Sequence, residues 1–373
     1  MKIGINGFEA VIPRFGYDSN GLPNRVGSSQ VAFEWLTELE KIDKKNRYVI
    51  YLPVEPTWDM PKEREAWQYI VLPSKPLWTI FALSPAIRKA KFDIFFSPTH
   101  YGPLFVPCPQ VISILDLSYK HFSELFKKRD LLQLNLWGGY SVRRAAKIIT
   151  ISNSAKSDII REYHVPEAGV EVVYLGVKDV GKSKMSKEEI FKKYSVEGPF
   201  ILFVGTLQPR KNIVRLVEAF SRIKSNLQLV IIGRRGWQFE EILEAPRKYG
   251  VSDRVRFLEN IADEELPAFY ENAELFILPS LYEGFGLPIL EAMKYGCPVI
   301  TSNVSSLPEA GGDAAVYFDP ESVSDIAEKI EKVLSDESLA ARMKREGFEQ
   351  VKKFSWEKSA RQVLKVLEEA AKS

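Results

Sequence analysis

Short apolar runs alternate with helix-period segments along the second half of the chain. Phe200-Ile-Leu-Phe-Val204 reads as a strand, and Ile213, Leu216, Val217 and Phe220 mark one face of the helix that follows. Leu227 to Ile232 is the next strand, a polar helix runs near Glu240 to Tyr249, and Arg254 to Leu258 is a further strand. Asp263-Glu-Glu-Leu-Pro opens another helix, the apolar run from Leu275 to Pro279 a buried strand, and Leu287 to Gly296 a helix. Pro298 to Thr301 and Ala315 to Phe318 close the series. The first half alternates with longer excursions, its strands expected at Lys2 to Asn6, Tyr48 to Leu52, Asp93 to Ser97, Val111 to Leu115, Lys147 to Ile151 and Glu171 to Tyr174. Strands rich in Val, Ile and Leu between helices predict an α/β fold with doubly wound parallel sheets covered on both faces. Such sheets bind ligands at the carboxyl ends of their strands.

Between Gly176 and Gly198 the chain turns polar, with a short helix at Ser186 to Tyr194, and this segment reads as a linker. The expected division is therefore a first domain at 1–178, a second at 179–354, and a final helix, Trp356 to Ala371, within 355–373 that folds back on the first. A length of 373 residues fits two domains. A formal charge of +2 argues against nucleic acid as a partner. Cys108 and Cys297 sit in apolar, proline-adjacent contexts and read as buried thiols of a reducing compartment. His100, His121 and His164 show no ligand spacing, so no metal site is expected. Met1-Lys-Ile-Gly-Ile-Asn reads as an immediate first strand, and the apolar stretch from Leu77 to Ile87 is broken by Ser84 and Pro85. The expected setting is cytoplasmic, at most peripheral to the inner face of a membrane.

The chemistry concentrates in two places. In Ser280-Leu-Tyr-Glu-Gly-Phe-Gly-Leu-Pro-Ile-Leu-Glu291, two carboxylates flank a Gly-x-Gly turn that opens a helix. Gly284 and Gly286 let the backbone approach a ligand, and a helix N-terminus offers unpaired N–H donors to a phosphate. Glu283 and Glu291 are then placed to accept hydrogen bonds from hydroxyl groups beside the anion. Gly205-Thr-Leu-Gln-Pro-Arg-Lys-Asn212 follows the first strand of the second domain, with Asn212 as the expected N-cap. Arg210 and Lys211 thus stand at the positive end of a helix, which costs roughly 0.3–1 kcal/mol per exposed charge. Either both are solvated surface charges, or a pyrophosphate offsets them.

Thr206-x-x-Pro-Arg-Lys-Asn212 with Glu283-Gly-Phe-Gly-Leu-Pro-x-x-Glu291 resembles the family 4 retaining glycosyltransferases of the GT-B fold. The likeness extends through Leu307-Pro-Glu-Ala-Gly-Gly-Asp313 and Phe354-Ser-Trp356, and more loosely to Ile151-Ser-Asn-Ser-Ala-Lys156. It implies two Rossmann-like domains facing each other across a cleft, an acceptor-side first domain and a donor-binding second. The donor is a nucleoside diphosphate sugar, with no cofactor and no metal. Position by position, the resemblance makes Arg210 and Lys211 the pair that binds the donor diphosphate, with Gly205 and Thr206 beside them. Glu291 would hold the ribose hydroxyls and Glu283 lie near the transferred sugar, while the amides of Gly284, Phe285, Gly286 and Leu287 contact phosphate and sugar. Asn260 and Ile261 correspond to where the base is held by backbone. Gly27, in Asn24-Arg-Val-Gly-Ser-Ser29, matches a glycine loop near the phosphates, although a plain helix start explains it as well. The Pro-Arg-Lys-Asn form looks most like mannosyl or rhamnosyl transferases of surface polysaccharides.

One position departs from the pattern. Many relatives carry His-Asp after the strand at Val111, where this chain has Leu115-Asp116. Leucine cannot bond a sugar hydroxyl, so that contact is either absent or supplied from elsewhere, with His100 and His121 as the candidates. Asp116 is the first-domain candidate for acceptor or sugar contact, or a simple turn aspartate. Residues 122–146 mix leucines with Lys127, Lys128, Arg129, Arg143 and Arg144, which fits peripheral membrane contact near a saccharide or lipid-linked acceptor, or core on one side and solvated charge on the other. Trp58, Trp67, Trp78 and Phe81 read equally as a sugar platform or as packing. The resemblance implies retention of configuration without a covalent enzyme intermediate, with Arg210, Lys211 and Glu283 at the reacting end of the donor. A nucleotide-sugar epimerase of the same architecture and a donor-binding module weakened by Leu115 are the competing functions.

Overall fold

The computed structural model describes all residues except 14, 15, 18–20, 74, 75, 100, 179, 182–185 and 373. The chain divides into two compact units. One comprises Met1–Leu117, Phe126–Gly176 and Ser355–Ser373; the other comprises Ser118–Leu125 and Val177–Phe354. The short segment 118–125, placed by its sequence position in the first domain, therefore belongs with the second unit. Among the described residues no helix is long and apolar enough to cross a membrane.

The first unit holds seven strands: β1 Lys2–Asn6, β2 Arg47–Leu52, β3 Trp67–Val71, β4 Ile94–Ser97, β5 Gln110–Ser113, β6 Lys147–Thr150 and β7 Val170–Val172. They form one sheet in the order β3-β2-β1-β4-β5-β6-β7, every pair parallel. The edge strand β3 is absent from the hydrophobic pattern for a physical reason. Only Trp67 along it is buried, while Ile70 and Val71 face solvent, so the run has no apolar face to read. Trp67 packs its ring 4.8 Å from that of Tyr48, which makes it core and not a sugar platform. The closing helix Trp356–Ala370 packs on the helix Ser28–Ile42, where buried Trp35 donates from Nε1 to Ser359 Oγ at 2.8 Å.

The second unit holds β8 Phe200–Val204, β9 Gln228–Ile232, β10 Val255–Leu258, β11 Leu275–Leu278, β12 Val299–Ser302 and β13 Ala315–Phe318. Their order is β10-β9-β8-β11-β12-β13, again wholly parallel. β8, β9, β11 and β12 are buried almost from end to end, as continuous apolar runs require when helices cover both faces. The crossover from β8 leads away to β9 on one side, whereas β11 lies on its other side. β8 and β11 are therefore the switch point of this sheet, the position at whose carboxyl ends such folds bind ligands.

Candidate active site

The switch point between β8 and β11 brings together the two chemistry-bearing segments. After β8 the chain makes a 3-10 turn, Pro209–Lys211, and enters the helix Ile213–Ser221. After β11 it passes through Ser280 to Gly286 and enters the helix Leu287–Lys294. The two loops are tied by backbone: Leu281 N donates to Arg210 O at 2.9 Å, and the Arg210 guanidinium bonds Tyr282 O. Gly286 has φ +108°, a conformation that L side chains rarely adopt, and a Cβ there would meet Leu307 at 3.1 Å. Pro288 sits in the first turn of that helix, where its missing N–H costs nothing. Ile289, Leu290, Ala292 and Met293 anchor the helix in the core.

Glu283 is the hub. Its Oε1 accepts from Lys211 Nζ at 2.5 Å and from Ser280 Oγ at 2.6 Å, and its Oε2 accepts from Arg210 at 2.9 Å. Three of roughly four lone-pair positions of the carboxylate are thereby engaged. The side chains of Arg210, Lys211 and Glu283 are only 14, 10 and 11% exposed. Burial alone would raise the Glu283 pKa, but the charges of Arg210 and Lys211 and the bonds from Lys211 and Ser280 outweigh it and pull it down to about 2. Its main chain is fixed as well: Glu283 N donates to Ser305 Oγ at 3.0 Å, and Ser306 Oγ donates to Glu283 O at 2.8 Å. The solvated-charge reading of Arg210 and Lys211 is thus set aside. Two nearly buried cations thus converge on one carboxylate beside a helix N-terminus, a setting in which an anion is favoured.

Glu291, two turns away, has different company. Its Oε2 accepts from Tyr270 Oη at 2.9 Å, its hydrogen-bond partner among the described residues. Burial raises its pKa; Tyr270 pulls the other way, Asp263 adds to the rise, and Lys178 and Lys294 oppose it. A small cavity of about 70 Å³ lies against it, lined also by Tyr270, Tyr295, Leu266 and the Lys178–Asp263 ion pair. Asn212 departs from expectation. It stands at the N-cap position with left-handed backbone, but its side chain makes no capping bond. Instead Nδ2 donates to Pro320 O at 2.7 Å and Oδ1 accepts from Arg215.

Two family models match the chain: "Glycosyl transferases group 1" over residues 186–350 and "Glycosyltransferase Family 4" over residues 29–179. The O-antigen chain mannosyltransferase B of Escherichia coli is 32% identical over 286 residues, covering 75% of this chain and 75% of that protein. The chain belongs to glycosyltransferase family 4. Its fold is GT-B: the sucrose-phosphate synthase structure from Thermosynechococcus elongatus superposes with a TM-score of 0.75 over 99% of this chain and 98% of that one, at 20% identity. The Anabaena HepE structure in complex with UDP-glucose superposes at 0.72 over 99 and 100%, at 18% identity.

In this glycosyltransferase the remaining candidates divide by unit. With Glu283 in the second unit lie Gly205 and exposed Thr206 at the end of β8, and buried Gly284 and Phe285, the latter with its ring 5.4 Å from Phe354. Asn260 and Ile261 follow β10, Asn260 exposed and left-handed at φ +58°. Gly27 and Asp116 belong to the first unit. Gly27 precedes the helix Ser28–Ile42 at φ +56°, ψ −123°, and a Cβ added there would meet nothing within 4 Å. Asp116 is half-buried beyond the carboxyl end of β5, and Leu115 beside it is buried. His121 sits in the second unit with its ring 4.8 Å from Tyr282, the neighbour of Glu283. His100 lies outside the described residues. Among those described, no group of three His, Cys, Asp or Glu side chains could hold a metal ion. Sequence reasoning missed Tyr270, Ser305 and Ser306 as parts of the site. None lies in a motif: Tyr270 comes from the helix Leu266–Asn272 before β11, and Ser305 and Ser306 from the loop after β12.

Proposed function

We propose that this family 4 glycosyltransferase is a retaining hexosyltransferase that moves mannose, or a similar sugar such as rhamnose, from a nucleoside diphosphate to a hydroxyl of a saccharide or lipid-linked saccharide in surface-polysaccharide assembly. The nearly buried Arg210–Lys211 pair at Glu283 carries the donor half of this reading, since a diphosphate is the anion that two cations and a helix N-terminus together match. The mannosyl half is supported by the likeness to an O-antigen mannosyltransferase.

Before donor binds, Glu283 serves as counter-charge in place of the diphosphate. When donor binds, its phosphate oxygens take Arg210, Lys211 and the amides of Gly284 to Leu287. Glu283 is then released to accept from the sugar hydroxyls, Glu291 holds the ribose, and Asn260 and Ile261 present backbone to the base. The acceptor oxygen attacks the anomeric carbon as the bond to the diphosphate breaks, and the acceptor proton passes to a diphosphate oxygen on the same face. Arg210 and Lys211 stabilise the charge growing there, so no divalent metal is required. In the second unit His121 beside Tyr282 is the candidate imidazole for the sugar, and in the first unit Asp116 is the candidate for acceptor contact.

A thermal-shift panel of nucleoside diphosphate sugars, followed by NMR of the transferred anomer, tests this. Stabilisation by a nucleoside diphosphate mannose and an α-linked product are expected. An inverted anomer would overturn retention. Stabilisation without transfer to any hydroxyl acceptor would reduce the protein to a binding module.

A further inference from the structure

An open groove of about 430 Å³ lies in the first unit, lined by none of the donor-site candidates and including part of the basic 122–146 segment. Its walls are two irregular helical turns, Thr79–Leu83 and Leu134–Gly138, each wound as a π-helix. Such turns cost helix regularity and recur at functional sites. Two buried serines tie both of them to the loop between. Ser84 Oγ donates to Thr79 O at 2.7 Å and accepts from Leu104 N at 2.8 Å. Ser141 Oγ donates to Trp137 O at 2.9 Å and accepts from Gly102 N at 3.0 Å. Trp137 adds a bond from Nε1 to Gly102 O at 3.1 Å and stacks on Tyr101. The groove is built and braced.

Its rim is apolar in a way a soluble surface avoids. Leu77, Phe81, Phe105, Leu132 and Leu136 are between 43 and 69% exposed, clustered in and beside this one groove. Leu77 and Phe105 hold left-handed backbone, at φ +52° and +55°, which is costly for bulky residues and persists where the surroundings enforce it. The segments that form it are predominantly basic. Residues 126–144 carry five basic side chains, Lys127, Lys128, Arg129, Arg143 and Arg144, all exposed, against the single acid Asp130. Residues 76–91 carry Arg88, Lys89 and Lys91 and no acid, in a chain whose total charge is nearly balanced.

We propose that this face docks the protein on an anionic lipid bilayer, the five apolar side chains entering the interface while the flanking cations meet the headgroups. The charge segregation selects an anionic surface over a neutral one, and the exposed leucines and phenylalanines select a bilayer over a purely polar polyanion. The site is independent of the donor cluster, so its failure would leave the functional reading standing.

Co-sedimentation of the full chain with vesicles of equal parts phosphatidylglycerol and phosphatidylcholine, against phosphatidylcholine alone, at about 0.1 M salt, tests it. Binding to the mixed vesicles alone is expected. The pair Lys127→Glu/Arg129→Glu should weaken it at least about 30-fold, at roughly one decade or less per cation removed. The pair Leu132→Glu/Leu136→Glu should weaken it at least about tenfold. All four positions are exposed, and unchanged thermal melting certifies the fold; the basic pair decides if the leucine pair melts early. Equal partition of both variants and the parent chain would overturn the proposal. So would a dimer in light scattering that the leucine pair dissociates while no vesicle binds, which would give the face to a second copy.

Discussion

Glu283 and Glu291 flank one turn, eight residues apart, and their surroundings push them in opposite directions. Around Glu283 two cations and a serine converge, and the carboxyl is held down to about 2. Around Glu291 the helix buries the carboxyl among Tyr270, Tyr295 and Leu266, one hydroxyl reaches it, and its pKa rises. Two carboxylates with pKa values driven apart are the usual mark of an acid/base pair. Here the chemistry differs. Glu283 is locked in an ion triad with Arg210 and Lys211. Glu291 is a buried acceptor that the neutral Tyr270 hydroxyl satisfies. The same residue type meets two cations in one region and a single neutral hydroxyl in the other.

The sharpest way to break this contrast is to remove a cation. Lys211→Ala should lower kcat by about two to three orders of magnitude, the loss expected for a group that stabilises developing charge. Glu283 keeps Arg210 and Ser280, so circular dichroism should still show the folded chain. Unchanged donor-dependent turnover would remove the diphosphate assignment. Next comes the hub itself. Glu283→Gln leaves two nearly buried cations without their counter-charge, at a cost of about 3 kcal/mol or more, or roughly 5–10 °C in melting. A nucleoside diphosphate should then stabilise the variant by more than it stabilises the parent chain, because it becomes the missing anion. A smaller shift in the variant would mean that Glu283 helps hold the ligand and does not stand in for it.

The pH dependence should carry both signs. Glu283 has a folded pKa depressed from 4.5 to about 2, so it contributes stability above 4.5 that is lost as pH falls toward 2, on the order of 3 kcal/mol. Glu291 has a folded pKa raised above 4.5, so the folded chain binds the extra proton and this group's contribution improves as pH falls through its raised value. Melting curves of Glu291→Gln against the parent should therefore show the variant more stable at pH 7 and the difference vanishing near pH 4. A constant difference would contradict the burial of that carboxyl.

How much of this is legible in the sequence follows from where the information lies in the chain. Arg210, Lys211, Glu283 and the turn glycines are grouped in two short segments at strand ends, and alternation of strand and helix predicts that both ends share a sheet. The order β10-β9-β8-β11-β12-β13 that makes them neighbours is a long-range pairing no local pattern contains. Thus the clamp is readable as a motif, whereas the ion triad is not. Ser305 and Ser306, which fix the Glu283 backbone, come from the loop after β12 and bear no signature of their own. β3 escapes notice because an edge strand with one buried residue has no period to detect. Asn212 misleads for a complementary reason: asparagine at a helix start usually caps, but here Pro320 O claims its amide.

The smallest expected effect tests the Glu291 side most finely. Tyr270 is fully buried, its hydroxyl kept neutral by burial and by the adjacent Glu291, and it donates to that carboxylate at 2.9 Å. Tyr270→Phe keeps the ring between Phe276 and Tyr295 and deletes only the donor. Since the hydroxyl holds the Glu291 pKa down, its loss should raise that pKa further and cost about 1–2 kcal/mol at pH 7. Once Glu291 is protonated, the missing donor matters less, because a neutral carboxyl needs it less than a carboxylate does. The melting deficit of Tyr270→Phe should accordingly shrink as pH falls through the raised Glu291 value, with kcat unchanged and the donor KM raised a few-fold. A deficit independent of pH would assign Tyr270 to packing alone, and Glu291 would then lose its one tuned partner.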